Sequence, residues 1–561
     1  MATETSPLLG SNTVESDRAD GAAKDNGIPP GDYNDAQGLE RQTSTGDRQK
    51  QYEGMPEVRK KMKYIFPAVA IGVFLSAADQ TIIVSSYGKI GSEMKALSRT
   101  SWIATAYFLT LTSFQPLYGK LSDIFGRKPC LLIAYIIFGL GCLFCGLAQD
   151  MSQLIAARAF AGIGGGGMTT VVSILLSDVV PLRDRGQWQG YVNVIYAAGA
   201  ASGAPLGGIL ADSIGWRVSF LGQVPLCLAA FVAVSFALHL PERDDELHWR
   251  KKLGRVDFLG AAVLIAAVFT FLLALDRGSN VSWRATITIV SISVSVPLFI
   301  LFVLVEVKVA KEPFAPGRIL SQRAMLACYL WNFFAMGGWL AAHFNAALYF
   351  QAVTGLTATG AGVRLLPAIF ASVSGSLFGG YYMRKTGKYY WLTIIASIAL
   401  TAGMVIIFLC SGVLTKSTVG IMLGMTVSGF SNGIGITSAL IGVIANADRD
   451  DQAIATACSY LFRSLGSVFG ISMSATVVNQ ALRSSLASEL PGLGFSQERA
   501  LAIADSVRQS LENLRELKPA VSAVVIDSYG LSINAAFGLQ ITLLIGAAIS
   551  AWFIREKALS R

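Results

Sequence analysis

Asp79 stands inside an apolar run of about twenty residues, in the stretch AADQTIIVSSYGKIG (77–91). A carboxylate at that depth of a bilayer costs on the order of 2.5–3.5 kcal/mol on insertion scales, so it needs a partner or a task. Burial makes its charge costly. It can take up a proton and release it when its cavity hydrates or a cation arrives, which is the exchange that couples a proton gradient to transport. Arg158, about a turn and a half into a later apolar run, could partner Asp79 or organise the charge of a cavity. The alternative is a guanidinium near a helix end that snorkels to the interface. Arg364 and Arg463 pose the same choice. In LAAHFNAALYF (340–350), His343, Asn345 and Tyr349 put polar groups at membrane depth and suit a cavity wall. A lone His on an apolar helix also serves as a packing group. Gly162 and Gly164 to Gly167 look like a phosphate loop, but no Lys-Ser/Thr follows, and close helix contact in lipid explains them.

The elements that must position these residues follow from composition. The chain has 561 residues, 53% hydrophobic and 14% charged, and apolar runs recur along it. Such a chain belongs in a bilayer, where only helices of this length satisfy their own backbone, so the fold class is an all-α polytopic membrane protein. Spans are expected at 65–86, 101–121, 129–148, 153–176, 187–211, 218–239, 256–275, 285–305, 326–350, 361–382, 390–411, 419–445, 453–480 and 538–555. The net charge of +9 does not indicate nucleic acid, because most Lys and Arg fall in short loops between spans. Their concentration in the loops on the side of the N-terminal segment puts both termini in the cytosol by the positive-inside rule. The seven cysteines lie in or at the ends of spans without metal-ligand spacing and read as packing residues. Asn280 opens the sequon Asn280-Val281-Ser282 on the non-cytosolic side, where glycosylation could occur. On the same side, within 482–536, apolar residues from Ala500 to Leu514 recur at helical spacing and read as a surface helix.

GKLSDIFGRK begins at Gly119 and GYYMRKTGK begins at Gly380, with the same spacing of seven from Gly119 to Gly126 and from Gly380 to Gly387. Arg384 stands where the first copy has Asp123. Two related halves with an extra pair of spans between them is the simplest organisation. The expected domains are a disordered cytosolic tail (1–63), an N-terminal six-helix bundle (64–240), a two-helix linker with its flanking loops (241–323), a C-terminal six-helix bundle including the lumenal loop 482–536 (324–556), and a short cytosolic tail (557–561).

GKLSDIFGRK resembles the loop signature of the major facilitator superfamily at every defined position. LIAARAFAGIGGGG (154–167) is similar to that family's fourth-helix motif, and GAASGAPLGGILAD (199–212) resembles its fifth-helix antiporter motif, with the proline one place later, at Pro205. Asp79-Gln80-Thr81-Ile82-Ile83 resembles the first-helix motif of the fourteen-span drug:proton antiporter branch, and the run after it looks most like fungal vacuolar basic amino acid transporters. The resemblance implies a major facilitator fold of about fourteen transmembrane helices arranged 6+2+6. It implies a conformational latch at Gly119, Asp123, Gly126, Arg127 and Lys128, and a bending or close-packing helix at Gly199, Gly203, Pro205, Gly207 and Gly208.

The function so implied is a proton-coupled antiporter moving lysine, arginine and histidine across the vacuolar membrane by alternating access. Its expected partners are a small-molecule substrate, protons and the lipid bilayer, acting as a monomer with no cofactor beyond the proton gradient. A plasma-membrane multidrug:proton exporter of the same fold is the alternative, and a non-transporting receptor or sensor a remote one. No nucleophile and base pair or metal cluster converges in the sequence, so no enzyme is expected. In the N-terminal tail Glu4, Leu8 and Leu9 (ETSPLL) resemble an acidic dileucine sorting signal, which an adaptor reads in an extended, accessible peptide.

Overall fold

Apolar runs broken by Gly, Pro and charge become long helices. The computed structural model describes residues 55–83, 101–240, 257–280, 282–309, 321–356, 358–448, 451–493 and 518–559, with isolated positions between them. The helices are α1 (Pro56–Lys60), α2 (Met62–Ile82), α3 (Ser101–Phe125), α4 (Arg127–Leu147), α5 (Met151–Val179), α6 (Leu182–Ser213), α7 (Trp216–Leu221), α8 (Gln223–Ala237), α9 (Phe258–Asn280), α10 (Thr286–Lys308), α11 (Arg323–Ala352), α12 (Ala358–Thr386), α13 (Tyr390–Cys410), α14 (Thr418–Asn446), α15 (Gln452–Glu489) and α16 (Pro519–Trp552). Among the described residues no strand of a sheet forms.

Twelve of the described helices, α7 and α8 counting as one, are long and apolar enough to cross a membrane. The other two expected positions are filled by α3 and α9. At about 1.5 Å per residue both are long enough for a bilayer core. The first carries buried Thr112, Ser113 and Gln115, and the apolar run of the second is only Leu259–Leu275. Large apolar side chains such as Ile300, Val307, Phe236 and Phe370 stay exposed on the outer faces, as lipid contact requires.

Helix pairing repeats along the chain. In the first half α2 packs on α6, α3 and α4 on α5, and α4 on α8; in the second α11 packs on α15, α12 and α13 on α14, and α13 on α16. The halves meet through α3 on α15 and α6 on α12, one contact related to the other by exchange of halves. Helices α9 and α10 pair with each other, and α9 also touches α3 and α15.

Three expected boundaries change. Within the expected tail, residues 56–60 and 62–63 are helical rather than disordered; the Met55 amide donates to the Val179 carbonyl at 3.0 Å and Val58 is buried. Helix α15 runs nine residues past the expected end at 480, to Glu489, and α16 begins at Pro519 instead of 538. Those extensions need no lipid: Leu482, Leu486 and Leu490 share a core with Val521, Val525 and Tyr529, and Ser485 donates to Ser528 at 2.9 Å. Most of the expected surface helix (500–514) lies outside the described residues.

At the end of the bundle opposite the Gly119 loop, Trp216 Nε1 donates to Glu93 at 2.7 Å and Arg217 pairs with the same carboxylate. The Arg217 hydrogen bond first, then that of Trp216, hold the Glu93 carboxyl below its ordinary value, so the contact persists as pH falls until that lowered value is passed.

Candidate functional site

Asp79, on α2, is fully buried and meets Arg158 of α5, which is 1% exposed. Arg158 Nη1 donates to Asp79 Oδ2 at 2.6 Å, and Gln223 Nε2 of α8 donates to Asp79 Oδ1 at 3.2 Å. Arg158 Nε donates to the Ile103 carbonyl of α3 at 3.2 Å, and its guanidinium lies 4.3 Å from the Tyr107 ring centroid and 5.6 Å from that of Phe220. A charge pair removed from water needs this saturation by further donors, acceptors and ring faces. Five helices therefore converge on one ion pair. They approach closely because the Gly run of α5 lacks side chains: a Cβ at Gly164 or Gly166 would meet the carbonyls of Ala134 or Leu111. Asp150 starts this helix by accepting from the amides of Ser152 and Gln153.

The glycines of α6 have a matching role against α2. A Cβ at Gly199, Gly203 or Gly207 would run into the carbonyl oxygens of Phe74, Ala78 and Ile82, in that order. The stripe brackets Asp79 one turn to either side, so it fixes the depth and rotation of α2. Pro205 and Gly208 sit in the same unbroken helix, Pro205 on an exposed face.

The two sequence echoes lie at the seam between halves. A Cβ at Gly119 would collide with Ala457 of α15, and one at Gly380 with the Gly186 carbonyl of α6. Seven residues on, Gly126 (φ 94°) and Gly387 (φ 69°) take the left-handed turns that end α3 and α12. The spacing of seven thus joins a crossing point to a turn. Arg127 binds Asp123 at 2.6 Å and Asp178 at 2.7 Å, and Lys128 Nζ donates to the Ser235 carbonyl at 2.7 Å. In the second echo Arg384 reaches across the seam to Asp184 at 2.8 Å, and Arg183 Nη2 donates to the Lys385 carbonyl at 2.9 Å. Further in, Asn193 donates to Ser376 at 2.8 Å, Ser464 donates to Gln115 at 3.2 Å, and the Tyr460 hydroxyl meets Ser173 and Gln189. The halves are closed together at this end.

His343, Asn345 and Tyr349 stand apart from Asp79. His343 Nδ1 lies 2.9 Å from the Trp339 carbonyl, Asn345 donates to Ser474 at 2.6 Å, and Tyr349 is buried in the core of the second half. Among the described residues no hydrogen bond or ion pair joins them to Asp79. Asn280 ends α9 with its side chain outside the described residues, and Glu4, Leu8 and Leu9 also lie outside them. Sequence reading missed Gln223, Tyr107 and the seam residues Asp184, Tyr196 and Tyr460. A glutamine opening an apolar span was the available signal for the first; the others are tertiary contacts without a local pattern.

Residues 69–471 match the family profile described as the Major Facilitator Superfamily. The chain is 38% identical to the vacuolar membrane amino acid uptake transporter fnx2 of Schizosaccharomyces pombe, over 88% of this chain and 84% of that protein. It is 36% identical to the multidrug resistance protein fnx1 of the same organism, over 86% and 92%. It is 32% identical to vacuolar basic amino acid transporter 2 of Saccharomyces cerevisiae, over 82% and 98%. The structure of the proton:xylose symporter XylE superposes with a TM-score of 0.56 at 14% identity, covering 90% of this chain and 98% of the other, a likeness of fold alone.

Proposed function

Because this chain belongs to the major facilitator superfamily, we propose that it exchanges protons for lysine, arginine and histidine across the vacuolar membrane by alternating access. It is a multi-pass membrane transporter and not an enzyme. The observation that carries the proton coupling is the Asp79–Arg158 pair, fully enclosed at 2.6 Å. A proton on Asp79 removes the charge that holds Arg158, which frees α2 and α5 to shift against each other; loss of the proton restores the pair. Access then alternates by opening and closing the seam, with Asp123, Arg127, Asp178 and Lys128 bracing α3, α4, α5 and α8 on one side of it and Asp184 with Arg384 bridging it.

The end that carries these groups also holds Lys60, Lys120, Arg183, Lys385 and Lys388, which supports a cytosolic placement for it and for both termini of a 6+2+6 bundle of fourteen helices. The names of two relatives support amino acids and the vacuole, and that of fnx1 supports the multidrug part of the second reading, an exporter in the plasma membrane. Vesicles containing the protein should accumulate labelled lysine, arginine or histidine only when their interior is acid; equal uptake without a gradient contradicts the exchange. The same reading makes Glu4, Leu8 and Leu9 a sorting signal, taken by an adaptor, and puts Asn280 on the lumenal side, where glycosylation can occur. Leu8→Ala with Leu9→Ala should move the protein to the cell surface while leaving uptake per molecule unchanged. Fluorescence microscopy of a tagged chain checks this, and unchanged vacuolar location removes the signal.

A further inference from the structure

We infer that Arg463 is the docking point for the carboxylate of the transported molecule, and that it separates amino acids from amines of the same shape. The inference rests on the amino acid reading above and assigns a role to a cation that the ion pair at Asp79 does not use. Arg463 lies on α15 eleven residues beyond Gln452, which at about 1.5 Å per residue puts it near the middle of the bilayer core, too deep to snorkel to either face. Its guanidinium sits 5.0 Å from the Tyr460 ring, whose hydroxyl already touches Ser173 and Gln189 of the first half. Nearby in the first half, Tyr196 of α6 donates to Gln80 at 2.9 Å, and Gln80 is the neighbour of Asp79 in sequence. Arg463 therefore faces the seam between the halves.

Among the described residues it forms no ion pair. The acids of the seam are committed elsewhere: Asp79 to Arg158 and Gln223, Asp184 to Arg59 and Arg384. Arg463 is only part-buried. A positive charge at mid-depth without a counter-ion is costly unless a mobile anion completes it. Guanidinium matches carboxylate as a planar, two-point donor, and Tyr460, whose ring lies 5.0 Å from it, brings a hydroxyl to the same seam. A cation that lacks a carboxylate would meet Arg463 with nothing to offset it. A zwitterion with a cationic side chain brings its own anion, and its ammonium can lie against the tyrosine rings.

The test uses the full chain in nanodiscs and matched ligand pairs that differ in the carboxylate: lysine and lysinamide, arginine and argininamide, leucine and leucinamide, read by ligand-induced stabilisation. The wild type should prefer the acid by about 10- to 100-fold, the range of a charge-assisted hydrogen bond. Arg463→Gln should abolish the preference while amide binding is kept, and Arg463→Lys, which retains charge without the fork, should fall between. A folded Arg463→Gln protein that still prefers acids overturns the inference, as does a wild type with no acid preference in any pair. If the lysine and arginine pairs are silent while the leucine pair shows an Arg463-dependent preference, the carboxylate site stands and the basic amino acid reading fails.

Discussion

Asp79→Asn should yield little folded protein and no gradient-driven uptake, and adding Arg158→Gln should restore the protein without restoring the uptake. Asn keeps the shape of the side chain but leaves Arg158 charged in a site where it is 1% exposed. Removing one partner of a buried pair costs about 3–5 kcal/mol, because the other charge stays enclosed and uncompensated. The second substitution removes that charge, so folding recovers, while the site still has no group that binds and releases a proton. Yield and melting temperature report the first effect, and uptake per molecule with and without a pH gradient reports the second. A double variant with normal gradient-driven uptake would make the pair purely structural.

Gly203→Leu should be nearly as damaging through packing alone. The Cβ would enter the space of the Ala78 carbonyl, and α2 and α6 would separate at the turn that holds Asp79. Overpacking typically costs about 1–3 kcal/mol, and here the obstacle is backbone, which cannot rotate away. Gly530→Ala, where the added carbon meets no atom within 4 Å outside its own turn of helix, is the control and should be neutral or mildly stabilising. Melting temperatures of the two purified variants compare them, and equal values would show that the glycine stripe does not set the spacing of the helices.

The paired residues and their helices were legible in the sequence to different degrees. Asp79 and Arg158 announce themselves because charge inside an apolar run is expensive. The echo of Gly119 and Gly380 reads directly as two related halves, and the structure gives its physical content in a helix crossing followed by a left-handed turn. The far ends of α15 and α16 were not legible, because a hydropathy window detects what lipid requires, and Leu482 or Val525 answers to another helix instead. Gln223 lies 144 residues from Asp79 in sequence, so its hydrogen bond depends on the fold. His343 drew attention by its type, and its Nδ1 lies against a carbonyl one turn back on its own helix.

Proton movement driven by substrate addresses the proposed exchange most directly. Vesicles bearing the protein, acidified inside and loaded with a pH-sensitive dye, should lose lumenal protons when lysine, arginine or histidine is added outside, and Asp79→Asn/Arg158→Gln vesicles should not. Lysine entry with no change in lumenal pH, or proton release driven by cationic drugs and not by basic amino acids, would contradict it.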